Sequence, residues 1–204
     1  MYRIASAVTA LLLVSGCAST GPEGALLTID GDRIVTTHEL RYEVEAPDGY
    51  RVAGPVHRET VFGGHPYAVT LAAWVGPEAF VSVHAEHVLD ASGASDYSDL
   101  PEFALSCGMF RTRVQCAELD PGDIEGEHDL EFLASNGFAP LPGLLVRQLF
   151  QTTDDDNAEI VISYGERTAS CTAPDQDAFD ARMLDALRVT DIRSIECLAP
   201  TSAE

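Results

Sequence analysis

The chain opens Met1-Tyr2-Arg3 and then runs from Ile4 to Val14 without a charge. Beyond residue 25 the pattern becomes one of short strands. Leu26 to Ile29 and Asp32 to Val35 flank Asp30-Gly31, and Asp-Gly between two apolar runs predicts a tight hairpin. Residues 39–46 alternate cleanly, with Leu40, Tyr42, Val44 and Ala46 inward and charges outward. That is the pattern of a half-buried antiparallel strand, and Pro47-Asp48-Gly49 ends it.

Residues 67–75 are apolar on both faces apart from Thr70, which predicts a central strand. Gly76-Pro77 turns the chain and Phe80 to Leu89 returns. Residues 90–101 read as a loop, and residues 109–117 fit a strand or a short helix equally well. Asp120-Pro121 can start a helix, Leu130, Leu133 and Ala134 give it an apolar stripe, and Asn136-Gly137 stops it. Residues 144–152 and 159–164 predict a hairpin with Asp154 to Asn157 at its tip. A second helix begins at Thr172, where Phe179, Met183, Ala186 and Leu187 share one face. No internal repeat is visible. The expected fold is α+β: a central antiparallel sheet with two packed helices and two disulfides.

A short positive start followed by an apolar run of this length describes a secretory signal peptide. The run is shorter than the roughly 20 apolar residues that span a bilayer. Leu13-Val14-Ser15-Gly16-Cys17, at the end of that run and followed by Ala18-Ser19-Thr20-Gly21-Pro22, resembles the lipobox of bacterial lipoproteins. The resemblance implies a diacylglycerol on the Cys17 thiol, cleavage just before it, and acylation of the new amino terminus. Two or three chains, at about 0.8 kcal/mol per buried methylene, hold a protein firmly on a membrane. Ala18 rather than aspartate after the cut implies sorting to the outer membrane, with the body facing the periplasm. The expected organisation is a signal peptide at 1–16, lipidated cysteine and tether at 17–25, a single domain at 26–199 and a loose tail at 200–204. The order of elements across about residues 38–190 also resembles the Mog1/PsbP-like fold. No family motif accompanies that likeness, so no functional residue follows from it.

The charge balance narrows the partners. The chain has 12 Lys+Arg, all of them arginine, against 33 Asp+Glu, for a net charge of −21. Such a surface repels nucleic acid and anionic lipid. Its expected partners are the membrane, through the lipid, and a protein of the envelope. Without lysine, Schiff-base and Ser-Lys chemistry is excluded. Four cysteines remain after Cys17: Cys107, Cys116, Cys171 and Cys197. In an exported chain they read as two disulfides. Three pairings are open, and locality favours Cys107–Cys116 with Cys171–Cys197. No C-x-x-C pair suggests zinc, and no glycine-rich phosphate loop suggests a nucleotide cofactor. No cofactor is expected.

Three constellations could carry chemistry. Ser82, His84 and Glu86 share one face of a strand, where a histidine beside a carboxylate could move protons or bind metal. The competing reading is the polar outer face of an amphipathic strand, because no G-x-S-x-G turn aims a nucleophile at His84. His84 and His87 would face opposite ways on a strand. His65 falls in a turn, and His38, His57 and His128 are isolated. Asp154, Asp155 and Asp156 could hold calcium with low affinity, but they lack the spacing of an EF-hand loop and equally suit a solvated hairpin tip. The acidic stretch Asp120 to Asp129 has the same ambiguity, since negative charge also favours a helix N-terminus. Trp74 and Tyr67 read as core. The expected function is a non-catalytic binding or structural accessory role at the envelope. The alternatives are a hydrolase-like or metal-dependent enzyme using His84 and Glu86, and a calcium-responsive acidic protein.

Overall fold

The computed structural model describes residues 24–93, 96–105, 108–172 and 174–191, and the backbone of 195–197. The segment expected to be a signal peptide, Cys17, most of the expected tether, Cys107 and residues 200–204 lie outside the described residues, as does the side chain of Cys197. The strands are β1 Leu27–Asp30, β2 Arg33–Thr36, β3 Tyr42–Glu45, β4 Arg51–Phe62, β5 His65–Val75, β6 Ala79–Val88, β7 Glu102–Leu105, β8 Gly108–Glu118, β9 Gly143–Thr152, β10 Ala158–Arg167, β11 Arg188–Asp191 and β12 Ile195–Cys197. The helices are α1 His128–Ser135 and α2 Gln176–Ala186.

Two antiparallel sheets result. One has five strands in the order β1-β2-β3-β11-β12, and the other has seven in the order β4-β5-β6-β10-β9-β8-β7. This corrects the expected α+β arrangement of a single central sheet, two helices and two disulfides: the fold is sheet-dominated. The difference comes from strands with no clean periodicity. β4 carries Gly54-Pro55 at a bulge between Ala53 and Val56, and it is tolerated because it lies at a sheet edge. Gly54 has φ +90°, and a Cβ there would meet the Leu71 carbonyl at 2.8 Å, so glycine is required. The ambiguous segment at 109–117 is strand β8. The first expected helix is also shorter than its start signal suggested. Asp120 caps only a single 3₁₀ turn, Pro121–Asp123, and Gly126 at φ +86° separates that turn from α1.

The disulfide pairing is corrected as well. Among the described residues one disulfide forms, Cys116–Cys171, across a sequence separation of 55. It excludes both local pairs, each of which needed one of these cysteines. β8 and β10 run parallel with β9 between them, so their C-terminal ends lie at the same end of the sheet. Residues 168–171 then cross the start of β9, where Thr168 N–H donates to the Gly143 carbonyl and Cys171 N–H to Glu118 Oε1.

The main core lies between the sheets. Ile34, Tyr42 and Val44 of the five-stranded sheet meet Trp74, Val81, Val83, Ile160 and Ile162 of the other, and α2 adds Phe179 and Met183. Trp74 Nε1 donates to the Val44 carbonyl at 3.1 Å, joining the sheets directly. Trp74 and Tyr67 are core residues, as expected. Fully burying a side chain such as Phe179 stabilises the fold by about 2–3 kcal/mol. α1 covers only part of the opposite face of the seven-stranded sheet, where Leu133 and Phe138 pack on Ala73, Val75, Phe80 and Leu144. Further along that face Tyr97, from the loop before β7, stacks on Phe150.

Candidate functional site

The period of two along β6 separates its roles. Val81, Val83 and Ala85 enter the main core, while Phe80, Ser82, His84 and Glu86 face the partly covered side. The pairing register sets Ser82 beside Ser163, His84 beside Val161 and Glu86 beside Glu159 on β10. Two adjoining clefts open here, of about 230 Å³ beneath α1 and about 540 Å³ between α1 and Tyr97, with His84, Asp129 and Gln148 lining both.

His84 is the centre of this surface. Its Nδ1 lies 3.4 Å from Glu86 Oε1, and its Nε2 lies 3.4 Å from Asp129 Oδ2. Asp129 comes from the first turn of α1 and is held in turn by Arg58 Nη2 of β4 at 3.2 Å. Burial alone would lower the pKa of His84. The bond to Glu86 and the charges of Asp129 and Glu86 outweigh burial and the opposing Arg58, so the pKa is raised above the ordinary value. Around this centre Tyr97 stacks on Phe150 at 4.3 Å between centroids, and Arg113 lies over the same ring at 5.3 Å. Arg113 also donates to Gln148 Oε1.

Ser82, His84 and Glu86 therefore do share a face and line clefts. The structure does not make Ser82 a partner of His84, because both ring nitrogens face carboxylates. His87, an odd number of residues away on the strand, points to the other side. The other histidines are dispersed. His38 Nε2 contacts the Glu159 carbonyl at 2.9 Å, His57 Nδ1 contacts Thr70 Oγ1 at 2.9 Å, His65 contacts Ser92 Oγ, and His128 is exposed at the start of α1.

At the hairpin tip the carboxylates fold onto the turn itself. Asp155 accepts from Thr153 Oγ1 at 2.6 Å and from both nitrogens of Asn157, and Asp156 accepts from Thr152 Oγ1. The Thr153 hydroxyl, then the Asn157 amides, draw the Asp155 pKa down to about 2. Among the described residues no group of three or more His, Cys, Asp or Glu is arranged to hold a metal ion.

Two cleft residues were not read as partners of His84. Asp129 belonged to an acidic stretch that suited either a weak calcium site or a helix start, and Arg58 lies on a strand the pattern did not reveal. Ser163 did leave a trace: it is a lone hydroxyl in the apolar run Ile160-Val161-Ile162-Ser163-Tyr164. Comparison with known proteins returns no match, whether to a family model, a curated protein or a solved structure.

Proposed function

We propose that this chain is a membrane-anchored cell-envelope lipoprotein whose body is a non-catalytic binding module working through the clefts on the seven-stranded sheet. The observation that carries the binding reading is the environment of His84. Each ring nitrogen lies 3.4 Å from a carboxylate oxygen, which favours the protonated ring, and neither nitrogen is turned toward Ser82. General-base catalysis needs a ring nitrogen within hydrogen-bond reach of the nucleophile, whereas both nitrogens of His84 are taken up by Glu86 and Asp129. Arg58, Asp129, His84 and Glu86 instead form a mutually paired, pre-positioned polar surface. Pre-positioned polar groups in a cleft lower the ordering cost of binding.

The anchor reading is supported by Leu13 to Cys17 following an uncharged run. Among the described residues no helix is long and apolar enough to cross a membrane. A net charge of −21 sets the body against anionic surfaces and leaves the acyl chains to hold it there. Ala18 favours the outer membrane, with the body in the periplasm. The test of the body is direct. Purified chain and a His84→Gln variant are incubated with p-nitrophenyl acetate and p-nitrophenyl phosphate, with and without zinc. The binding reading predicts no turnover above buffer from either protein. Turnover by the native chain that His84→Gln abolishes would overturn it.

A further inference from the structure

We propose that the smaller cleft, beneath α1, is a pocket for an uncharged aliphatic molecule carrying one hydroxyl or carbonyl group. This rests on the binding reading above and names its ligand class. The floor of the pocket holds Ser82 and Ser163, cross-strand partners on β6 and β10. Each residue is only 5% exposed. Both serines line the pocket, and the buried side-chain atoms left unpaired among the described residues lie elsewhere, at His38 Nδ1 and Arg58 Nε. Hydroxyls that line a cleft bond to water there, or to a ligand group that displaces it. Gln148 stands beside them. Its Oε1 is occupied by Arg113, which leaves its amide N–H groups for the pocket.

The walls have the opposite character. Leu71, Leu130, Leu133, Leu144 and Val146 surround that polar floor. The site thus offers a hydrocarbon sleeve with donors and acceptors at its deep end. An apolar cavity of about 150 Å³ admits benzene, so about 230 Å³ suits a chain of roughly six carbons with a head group. The head group enters first and bonds to the two serines. Charge selects against ions at both ends. A carboxylate would pass Glu127 and Asp129 at the mouth, and the imidazole of His84 in the same lining is already paired with Asp129 and Glu86. An ammonium held by those acids would leave the serines unpaired.

The test uses the full chain carrying Cys17→Ser, so that no acyl group competes, with labelled Leu and Val methyls read by NMR. The probes are 1-hexanol, 1-chlorohexane, hexanoate and hexylammonium, which share a chain and differ in the head group. The expected result is a saturable shift of the Leu130, Leu133, Leu144 and Val146 methyls, with 1-hexanol binding about fivefold or more tighter than the other three. Replacing both Ser82 and Ser163 with alanine should bring 1-hexanol down to the level of 1-chlorohexane. If that double variant does not fold, Leu133→Phe, which fills the pocket from α1, should abolish the shifts while spectral dispersion is kept. The proposal is overturned if no probe gives a saturable shift, which would leave water as the only occupant. It is also overturned if 1-chlorohexane matches 1-hexanol, if hexylammonium binds tightest, or if the preference survives loss of both serines. Failure here leaves the lipid anchor and the non-catalytic reading of His84 untouched, since neither enters this readout.

Discussion

Arg147 of β9 grips both carboxylate oxygens of Asp180 on α2, with Nη2 at 2.7 Å from Oδ1 and 2.8 Å from Oδ2. The guanidinium is almost fully buried and also lies over the Phe103 ring at 5.3 Å. This bond fixes α2 against the edge of the main core. Removing one partner strands a buried charge, which costs about 3–5 kcal/mol when the pair is wholly buried. Asp180 is about one-third exposed. Asp180→Ala should therefore cost less, about 2 kcal/mol, measured by urea denaturation. Arg147→Met together with Asp180→Ala should recover most of that loss, because no unpaired charge remains.

Two histidines should shape the pH dependence in opposite directions. His84 has its folded pKa raised, so its contribution is fully present below the unfolded value of 6.5 and fades as pH rises through the folded value. His38 has its folded pKa lowered by burial, against the bond to the Glu159 carbonyl, so stability is lost as pH falls below 6.5 toward the folded value. Urea midpoints taken from pH 5 to 8 should show His38→Gln flattening the acid-side loss. His84→Gln should weaken the protein most at low pH and remove the decline above 6.5. Identical profiles for both variants would contradict these assignments.

The Cys116–Cys171 bond closes a loop set by a separation of 55 residues. Chain-entropy arguments give about 4 kcal/mol for a loop of that size. Peptide mapping under non-reducing conditions should recover the two cysteines in one cross-linked species. Replacing both with serine should lower stability by about 2–4 kcal/mol in the same denaturation assay.

The packing of α1 predicts a sensitive glycine. A Cβ on Gly165 would lie 2.4 Å from Phe80 Cε1. Phe80 itself makes an edge contact with Phe138 at 5.0 Å, directly after α1. Gly165→Ala should cost about 1–3 kcal/mol by overpacking. Adding Phe80→Leu should relieve part of that cost, which a double-mutant cycle would measure.

Where one face of a strand was buried and the other wet, the sequence could be read directly. Tyr42 and Val44 are buried as their alternation implied, and Phe179 and Met183 mark the inner face of α2. The hairpin at Asp154 to Asn157 likewise follows from its two apolar runs. β4, β7 and β11 were not legible, for physical reasons. β4 is an edge strand with a bulge and polar neighbours, and β7 and β11 are only four residues long. β4 and β7 extend the seven-stranded sheet at its two edges, while β11 pairs with β3 and so enlarges the separate sheet begun by the first hairpin. The cleft was half legible. Alternation placed Ser82, His84 and Glu86 together, but Asp129 and Arg58 meet His84 only through the docking of α1 and the course of β4. Locality misled the cysteine pairing, because the bond joins strands that are close only within the finished sheet.

The central claim, an acidic binding domain held at a bilayer through Cys17, is tested most directly by metabolic labelling with an alkyne fatty acid in cells making the native chain or Cys17→Ala. The account predicts label on the native protein, recovered with membranes, and neither label nor cleavage before residue 17 in the variant. Equal labelling of the two, or a native protein recovered unlabelled in the soluble fraction, would contradict it.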